Sequence, residues 1–267
     1  MPKIVLVTGA SSGLGQSIAE YLASKDFIVY GTSRNPKQNK KNSVFFKSLD
    51  VRSQDSVQKC VEDIISENGH IDILVNNAGV GITGPIEEVI IEQAQAHFDT
   101  NFFGPIRVIN AILPFMRKQK KGMIINITSI AAHMGLPYRG FYSASKGALA
   151  RLTESYRMEL KPFNIKIMNL APGDFATNIA QGRYHSPLKE NSPYYENYKF
   201  SLDLMDQDVD KGEDPIKLAK KVYRLIQKSD PKVNYTSGAF LQCFSVTLKR
   251  LLPEKLFEKI LLKHYKL

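Results

Sequence analysis

The segment Ile4-Val-Leu-Val-Thr-Gly-Ala-Ser-Ser-Gly-Leu-Gly15 decides the fold of this chain. Its first four residues form a short apolar run typical of a buried parallel strand, and apolar residues at helical spacing follow the last glycine. Gly9, Gly13 and Gly15 allow a tight turn in which the backbone approaches a phosphate group at the N-terminus of the helix. A strand, a glycine-rich turn and a helix in this order predict a dinucleotide site rather than an ordinary turn.

The length and composition of the chain are those of a globular protein. Its 267 residues, 43% hydrophobic and 23% charged, are enough for one domain with a sizeable core. This composition excludes the disordered and fibrous classes. The formal charge of +10 is spread over predicted helix faces, with short clusters only at residues 37–41 and 117–121, and no nucleic-acid motif accompanies it. We therefore expect no nucleic-acid partner.

The cysteines and the hydrophobic runs indicate where the protein works. Cys60 and Cys243 are far apart and have no metal-ligand spacing, so they indicate neither a disulfide nor a metal site. The sequence shows no secretory leader before its first strand and no apolar run long enough to span a bilayer. These features predict a cytoplasmic protein that binds no metal.

Strand and helix patterns alternate along the whole chain. The apolar runs predict strands at Lys3–Thr8, Phe27–Thr32, Val44–Leu49, Ile71–Val75, Met123–Thr128, Ile165–Asn169 and Val233–Tyr235. Helical spacing predicts long helices at Gln54–Asn68, after the cap Ser53, and at Ile91–Arg117, Tyr142–Leu160 and Asp214–Ser229. This alternation predicts an α/β fold: a doubly wound Rossmann-type parallel sheet of about seven strands in a single domain, residues 1–267.

The residues that follow the first four of these strands indicate how a dinucleotide binds and which one is favoured. Arg34 follows the second strand, where a cofactor with a free ribose 2′-hydroxyl would meet an acid, so NADP(H) is favoured over NAD(H). Ser12 in the glycine loop adds a hydroxyl donor for the 2′-phosphate. Asp50-Val51 at the end of the third strand offers an edge for the adenine, and Asn76-Asn-Ala-Gly79 after the fourth predicts packing and cofactor contact.

A tyrosine and a lysine four residues apart, Tyr142 and Lys146, fall on one face of a predicted helix. An ammonium beside a phenol favours the phenolate and so assists proton transfer near neutral pH, although this spacing alone is a weak signal. Asn101 lies in the middle of a predicted helix, where its low propensity suggests a side-chain bond or a bound water. Ser129 lies at the carboxyl end of a strand, where ligands collect in such sheets.

The last third of the chain contains two candidate substrate-binding segments. Residues from Thr177 to about Phe200 form a long, irregular, aromatic-rich stretch, which predicts a lid over about 180–210 or a loop that packs on its own domain. The tail, about residues 241–267, carries apolar residues at helical spacing, interrupted by Pro253 and interleaved with lysines. It predicts an amphipathic helix that packs beside the lid or a second subunit, or that touches a membrane surface. The residues expected to form an apolar wall around the substrate are Met134, Leu136, Tyr138, Tyr184, Tyr194, Tyr195, Tyr198 and Phe200.

Taken together, these motifs resemble the single-domain short-chain dehydrogenases/reductases, in the order and at the spacing of that family from Lys3 to about Ile179. The resemblance implies that Ser129 binds the substrate oxygen, that Tyr142 transfers the proton, and that Lys146 supports the tyrosine and holds the nicotinamide ribose. Asn101 would order a water in the proton relay. The implied cofactor contacts are Gly9, Ser11, Ser12, Gly13, Leu14, Gly15, Arg34, Asp50, Val51, Asn77, Ala78, Gly79, Tyr142, Lys146, Pro172, Gly173 and Thr177.

Within this family, the stretch from Met134 to Tyr142 is similar to the branch that contains 17β-hydroxysteroid and retinol dehydrogenases. We therefore expect an NADP(H)-dependent enzyme that interconverts a carbonyl and an alcohol on a fairly apolar substrate, as a homodimer or homotetramer. Two alternatives stay open. One is a reductase of 3-oxoacyl thioesters, and the other is an NADP-binding regulatory protein that has lost turnover. The retained set of Asn101, Ser129, Tyr142 and Lys146 argues against the second alternative.

Overall fold

The computed structural model of the chain describes residues 2–177, 182–210 and 212–267. Residues 180 and 181 of the predicted lid, like Ile179 at the end of the family resemblance, lie outside the described residues. Among the described helices, none is both long enough and apolar enough to cross a bilayer.

Eight strands form one sheet, and the remaining two described strands form a separate parallel pair. The strands are β1 (Ile4–Val7), β2 (Ile28–Ser33), β3 (Lys40–Lys41), β4 (Val44–Ser48), β5 (Ile73–Asn76), β6 (Ile82–Thr83), β7 (Gly122–Ile127), β8 (Ile165–Pro172), β9 (Tyr184–His185) and β10 (Asn234–Ser237). The order in the large sheet is β10-β8-β7-β5-β1-β2-β4-β3, and β6 pairs with β9. The seven predicted parallel strands are confirmed. The sheet adds β3, a short antiparallel strand at one edge that the sequence did not predict.

Helices cover both faces of the large sheet, as a doubly wound fold requires. They are α1 (Gly13–Ala23), α2 (Gln54–Asn68), α3 (Ile91–Phe98), α4 (Gly104–Gln119), α5 (Gly140–Glu159), α6 (Tyr195–Asp210), α7 (Pro215–Ile226), α8 (Phe240–Leu251) and α9 (Glu254–Tyr265). On β1, Val5 packs in the cluster with α1 and α7, whereas Leu6 packs in the cluster with α2 and α4. The alternation of side chains along each strand thus supplies two cores.

The predicted helix Ile91–Arg117 is wrong as a continuous α-helix. A π-helical turn at Asp99–Phe103 separates α3 from α4. The buried Asn101 side chain in this turn accepts a hydrogen bond from the Val80 N–H (2.8 Å) and donates one to the Val80 carbonyl oxygen (2.9 Å). Single π turns inside α-helices are often found at functional sites.

The predicted irregular stretch up to about Phe200 contains a helix, because α6 already begins at Tyr195. Tyr198 on this helix is 1% exposed, and its hydroxyl donates to the Thr83 carbonyl oxygen over 3.1 Å. Tyr198 therefore packs on its own domain, as one of the two predictions for this segment stated. The other prediction, a lid that places Tyr198 beside the substrate, does not describe this side chain.

The tail forms two helices, α8 and α9, which meet at the predicted break at Pro253. Val246 of α8 and Phe257 of α9 are buried in a cluster with Met134. Helix α9 also contacts α6. Part of the apolar pattern of the tail is thus buried against the domain and the predicted lid region.

Candidate active site

The glycine loop between β1 and α1 is shaped by close backbone contacts. Gly9 has a φ of +67°, and a Cβ placed there would lie 2.8 Å from the Cα of Ala78. Asn77 fixes the loop from the end of β5, because its Nδ2 donates to the carbonyl oxygens of Thr8 and Gly9, each over 3.0 Å. Ser12 lies at the N-cap position of α1, but its side chain makes no capping bond. The helix N-terminus and the Ser12 hydroxyl are therefore left for a ligand.

A cavity of about 570 Å³ runs from this loop to Lys146. The predicted cofactor residues that line it are Gly9, Ser11, Ser12, Gly13, Leu14, Arg34, Asp50, Val51, Asn77, Ala78, Gly79, Tyr142, Lys146, Pro172 and Thr177. The structure thus brings together residues that the sequence places at the ends of five different strands. The cavity and its open helix N-terminus fit a dinucleotide.

Two predicted cofactor residues, Gly15 and Gly173, do not line this cavity. A Cβ on Gly15 would lie 2.2 Å from the carbonyl oxygen of Gly9, so this glycine lets α1 pack against the loop and does not line the cavity. Gly173 lines a second cavity, and its N–H donates to the carbonyl oxygen of Ser237 over 2.8 Å.

Two arginines stand at the end of the first cavity beyond the glycine loop. Arg34 is exposed and makes no hydrogen bond to an acid among the described residues. Arg52, which no sequence motif indicated, also lines this cavity, and its Nη2 lies 2.8 Å from Oδ2 of Asp50. Hydrogen bonding from Arg52 lowers the pKa of Asp50 below its usual value. Because Arg52 is already neutralised by Asp50, Arg34 is the better candidate for an added phosphate.

Lys146 is buried at the other end of the first cavity. Its Nζ donates to the carbonyl oxygen of Ile127 over 3.0 Å, and burial lowers its pKa to about 8. Tyr142, one helical turn earlier, lines both cavities. The Arg139 guanidinium lies 5.3 Å from the centre of the Tyr142 ring. The predicted Tyr/Lys pair therefore stands where the two cavities meet.

Asn101 lies behind the cavity wall and lines neither cavity. It is close to Lys146, because a Cβ on Gly79 would lie 3.2 Å from Oδ1 of Asn101 and 3.4 Å from Nζ of Lys146. His97, which the sequence analysis missed, lines the first cavity, and its Nε2 lies 3.2 Å from Nδ2 of Asn101. Its place four residues before Asn101 in the predicted helix Ile91–Arg117 was a possible signal. Burial, and secondarily the charge of Lys146, lower the pKa of His97 to about 4, so this imidazole is neutral.

Ser129 lines a second cavity of about 520 Å³, and Tyr142 lines the same cavity. Its Oγ accepts a hydrogen bond from the N–H of Ala131 (3.2 Å) at the start of a 3₁₀ turn, Ile130–His133. The two cavities adjoin, since both are lined by Leu14, Gly81, Tyr142, Pro172 and Thr177. The serine and tyrosine hydroxyls can therefore reach one ligand in the second cavity while Lys146 faces the first.

The apolar wall of the second cavity differs in part from the prediction. Met134 and Leu136 line it as expected, but Tyr138 and the predicted lid aromatics do not. Tyr138 packs instead on Tyr198, with ring centroids 5.3 Å apart. Residues of the tail line the cavity where the lid aromatics were predicted. They are Leu241, Gln242, Ser245, Leu248, Phe257, Ile260, Leu261, His264 and Tyr265. Helices α8 and α9 thus form part of the wall of the cavity that Ser129 also lines.

The chain is similar to many known proteins. Residues 3–187 match the model of the short chain dehydrogenase family. A 3-ketodihydrosphingosine reductase of Bacteroides thetaiotaomicron is 40% identical over 258 residues, which cover 96% of both chains. Human retinol dehydrogenase 8 is 36% identical over 191 residues, covering 67% of this chain and 60% of the human protein.

Solved structures match over a similar extent. A short-chain dehydrogenase from Streptomyces avermitilis has a TM-score of 0.83 and 29% identity, covering 99% of this chain and 97% of that protein. ElxO with NADP bound has a TM-score of 0.74 and 27% identity, covering 88% of this chain and 97% of ElxO.

Proposed function

Since this chain belongs to the short-chain dehydrogenase/reductase family, we propose that it uses NADPH to reduce the ketone of a long-chain apolar substrate, with 3-ketodihydrosphingosine as the first candidate. One observation carries the proposal. Ser129 and Tyr142 both line a largely apolar cavity of about 520 Å³ that adjoins the dinucleotide cavity and is bordered on one side by the tail. Such a cavity favours a substrate with a long hydrocarbon part.

The residues of the first cavity suit NADP(H). The open N-terminus of α1 would hold the diphosphate, and Arg34 with Ser12 would hold the 2′-phosphate. Lys146 would hold the nicotinamide ribose. When bound, the cofactor supplies the hydride that adds to the carbonyl carbon. The NADP complex of the similar ElxO supports this assignment.

The protein supplies protons and position. As the carbonyl is reduced, its oxygen gains negative charge, and the Ser129 and Tyr142 hydroxyls would donate to that oxygen from the cavity wall. Tyr142 would give up its proton, and the buried ammonium of Lys146 would stabilise the phenolate that remains. Tyr142 is thus proposed as the general acid, and as the general base in the reverse reaction.

We propose that Asn101 and Lys146 help to return a proton from solvent to the Tyr142 phenolate. Both side chains approach Gly79, and we propose that a water near this glycine contacts both. The Asn101 amide is fixed by the main chain of Val80 through two hydrogen bonds, which limits its motion beside that water.

The choice of substrate rests on how far each likeness extends. The reductase of 3-ketodihydrosphingosine is similar over 96% of this chain, a share large enough to reach α8 in the cavity wall. The likeness to retinol dehydrogenase 8 covers 67% of the chain. We therefore propose the long-chain ketone first and keep hydroxysteroids, retinoids and 3-oxoacyl thioesters as comparison substrates.

We also propose a homodimer and a lipid surface as partners. Ile91 and Phe103 on the α3–α4 side are 58% and 48% exposed, with Phe98 and Phe141 in the same groove, which suits a second copy of this chain. Sedimentation as a monomer at micromolar concentration would contradict the dimer. The proposed lipid contact is through exposed apolar residues of α8 and α9.

The direct test measures NADPH consumption by the purified full-length chain with a panel of ketones. We expect 3-ketodihydrosphingosine to be reduced with a kcat/KM at least about tenfold above those of a steroid ketone, retinal and an acetoacetyl thioester. NADPH should be preferred over NADH. No turnover of any ketone or alcohol would contradict the enzyme assignment, and a preference for the thioester would select the alternative substrate.

A further inference from the structure

Asp174 places a carboxylate in the wall of the cavity that holds Ser129 and Tyr142. It follows the end of β8, and two hydrogen bonds fix it to α8. Its N–H donates to Oε1 of Gln242 over 3.0 Å, and Nε2 of Gln242 donates to its Oδ2 over 2.5 Å. A neutral amide therefore orients this carboxylate, and no ion pair neutralises it among the described residues.

The arrangement depends on the residue before the acid. A Cβ on Gly173 would lie 2.2 Å from Oε1 of Gln242, so only a glycine leaves room for the amide to reach the Asp174 backbone. The two partners are 68 positions apart in the sequence. The site is thus built by the contact of α8 with the end of β8.

Asp174 is close to the reacting groups along the sheet. Strands β7 and β8 are parallel neighbours, with Ile127 paired to Leu170, and the N–H of Thr128 donates to the carbonyl oxygen of Leu170 over 2.9 Å. Ser129 and Asp174 therefore leave adjacent strand ends at the same edge of the sheet, and both face the second cavity.

A carboxylate without a cation in a largely apolar cavity is poorly solvated once a hydrocarbon chain displaces water. An alkylammonium on the ligand compensates it with a charge-assisted hydrogen bond. Arg139 also lines this cavity, and its guanidinium lies 5.3 Å from the centre of the Tyr142 ring, so its positive charge disfavours an ammonium beside that ring. Within this wall, the Asp174 carboxylate is thus a suitable position for a cationic ligand group.

We propose that Asp174, oriented by Gln242, binds the ammonium group of a substrate whose amine lies next to the ketone. This inference rests on the proposed ketone reduction and specifies its substrate class as long-chain 2-amino ketones. Asp174 selects these substrates over steroids, retinoids and simple long-chain ketones, which have no cation to pair with it.

The test compares Asp174→Asn with the wild type on two ketones. One is 3-ketodihydrosphingosine, and the other is the same molecule with hydrogen in place of the amine. We expect the ratio of kcat/KM for the amino ketone to that for the matched ketone to fall about 10- to 100-fold in the variant, the size of a hydrogen bond to a charged group. The matched control is Asp230→Asn, since the Asp230 side chain is 97% exposed and lies outside the cavity. Its ratio should not change.

A binding measurement tests the ammonium site independently of catalysis. Calorimetric titration with dihydrosphingosine, the amino alcohol product, should show a similar 10- to 100-fold loss of affinity in Asp174→Asn. An unchanged ratio together with an unchanged affinity would overturn the subsite while leaving the ketone reduction intact. Equal losses of kcat/KM for both ketones would show that Asp174 has a structural role, and this result would also overturn the ammonium subsite. If the wild type reduced neither ketone, the proposed function would fail, and the titration would still decide the ammonium site.

Discussion

Lys146 donates its hydrogen bond to the main-chain oxygen of Ile127, the last residue of β7, over 3.0 Å. No ion pair between Lys146 and an acid forms among the described residues, and the side chain is almost fully buried. The fold therefore holds a cation beside Tyr142 without neutralising it. A positive charge in this position is costly to the folded state and useful for stabilising a phenolate.

Replacing Lys146 by Met should stabilise the protein at neutral pH and remove its activity. The folded pKa of about 8 lies below the unfolded value of 10.5, so the folded state disfavours the ammonium. At pH 7 the lysine is charged in both states, and the difference between these pKa values corresponds to about 3 kcal/mol. After the lost hydrogen bond is subtracted, we expect Lys146→Met to gain about 1–2 kcal/mol in urea unfolding at pH 7. Turnover should fall at least about 100-fold.

The sign of the pH dependence provides the control for this prediction. Between pH 8 and 10.5 the unfolded wild type binds more protons at this site than the folded one, so wild-type stability gains from Lys146 as the pH rises. The advantage of Lys146→Met should therefore shrink at pH 9.5. A variant that is less stable than the wild type at pH 7 would contradict the burial argument.

Removing the Tyr142 hydroxyl should lower turnover without weakening cofactor binding. Tyr142→Phe keeps the ring where the two cavities meet and loses the proposed proton donor. We expect kcat to fall about 100- to 10,000-fold while NADPH affinity, measured by fluorescence titration, changes less than about threefold. The control is Tyr138→Phe, because Tyr138 lines neither cavity and should keep its turnover. Substantial turnover by Tyr142→Phe would exclude the tyrosine as the acid.

The charge of Arg34 should decide between the two nicotinamide cofactors. This guanidinium faces the dinucleotide cavity, whereas that of Arg52 is held by Asp50. Arg34→Ala should raise the KM for NADPH about 10- to 100-fold and leave the KM for NADH within about threefold. Lys37→Ala, an exposed cation nearby that does not line the cavity, is the control. Equal effects on both cofactors would show that Arg34 does not recognise the 2′-phosphate.

Local sequence patterns were sufficient for the parts of the site that follow strands. The apolar run before Gly9 and the spacing of Tyr142 and Lys146 depend on a few neighbouring residues, so they predicted the dinucleotide cavity and its border. The π turn at Asn101 has almost the same apolar period as an α-helix, and only the contact with Val80 reveals it. Local rules do not detect such a contact.

The second cavity depended more on long-range packing. A stripe of apolar residues in α8 and α9 shows that these helices are buried on one side, but it does not show what they cover. Gln242 reaches Asp174 across 68 residues of sequence, and no pattern near either residue indicates that contact. The tail therefore had three interpretations from sequence, and the structure adds that it forms the cavity wall.

His97 should make the protein sensitive to mild acid. Its folded pKa of about 4 lies below the unfolded value of 6.5, so the folded state binds fewer protons between these values. The stability linked to this residue is complete above pH 6.5 and is lost as the pH falls from 6.5 through 4, by up to about 3 kcal/mol. His97→Leu should lose less unfolding free energy than the wild type between pH 7 and pH 4.5 in urea titrations. Parallel pH profiles for the two proteins would show that His97 is not held neutral.

The exposed side of the tail should bind anionic lipid. Phe240 and Leu251 on α8 are 78% and 73% exposed. Residues 240–267 carry six Lys and Arg residues against two Glu residues. Apolar side chains beside an excess of positive charge suit the interface of an acidic bilayer. Leu241 and Ile260 are also exposed and line the second cavity, so an apolar substrate could enter from the lipid side.

Vesicle pelleting measures this contact. We expect stronger binding to vesicles containing phosphatidylglycerol than to pure phosphatidylcholine, with a loss of binding as salt is raised. The double variant Phe240→Asp/Leu251→Asp should weaken binding to the anionic vesicles at least about tenfold, because it removes apolar contact and adds two negative charges. Ile86→Asp makes one such apolar-to-acidic change at an exposed residue outside α8 and α9, and it should pellet like the wild type. Equal pelleting by the double variant and the wild type would exclude the tail as the membrane contact.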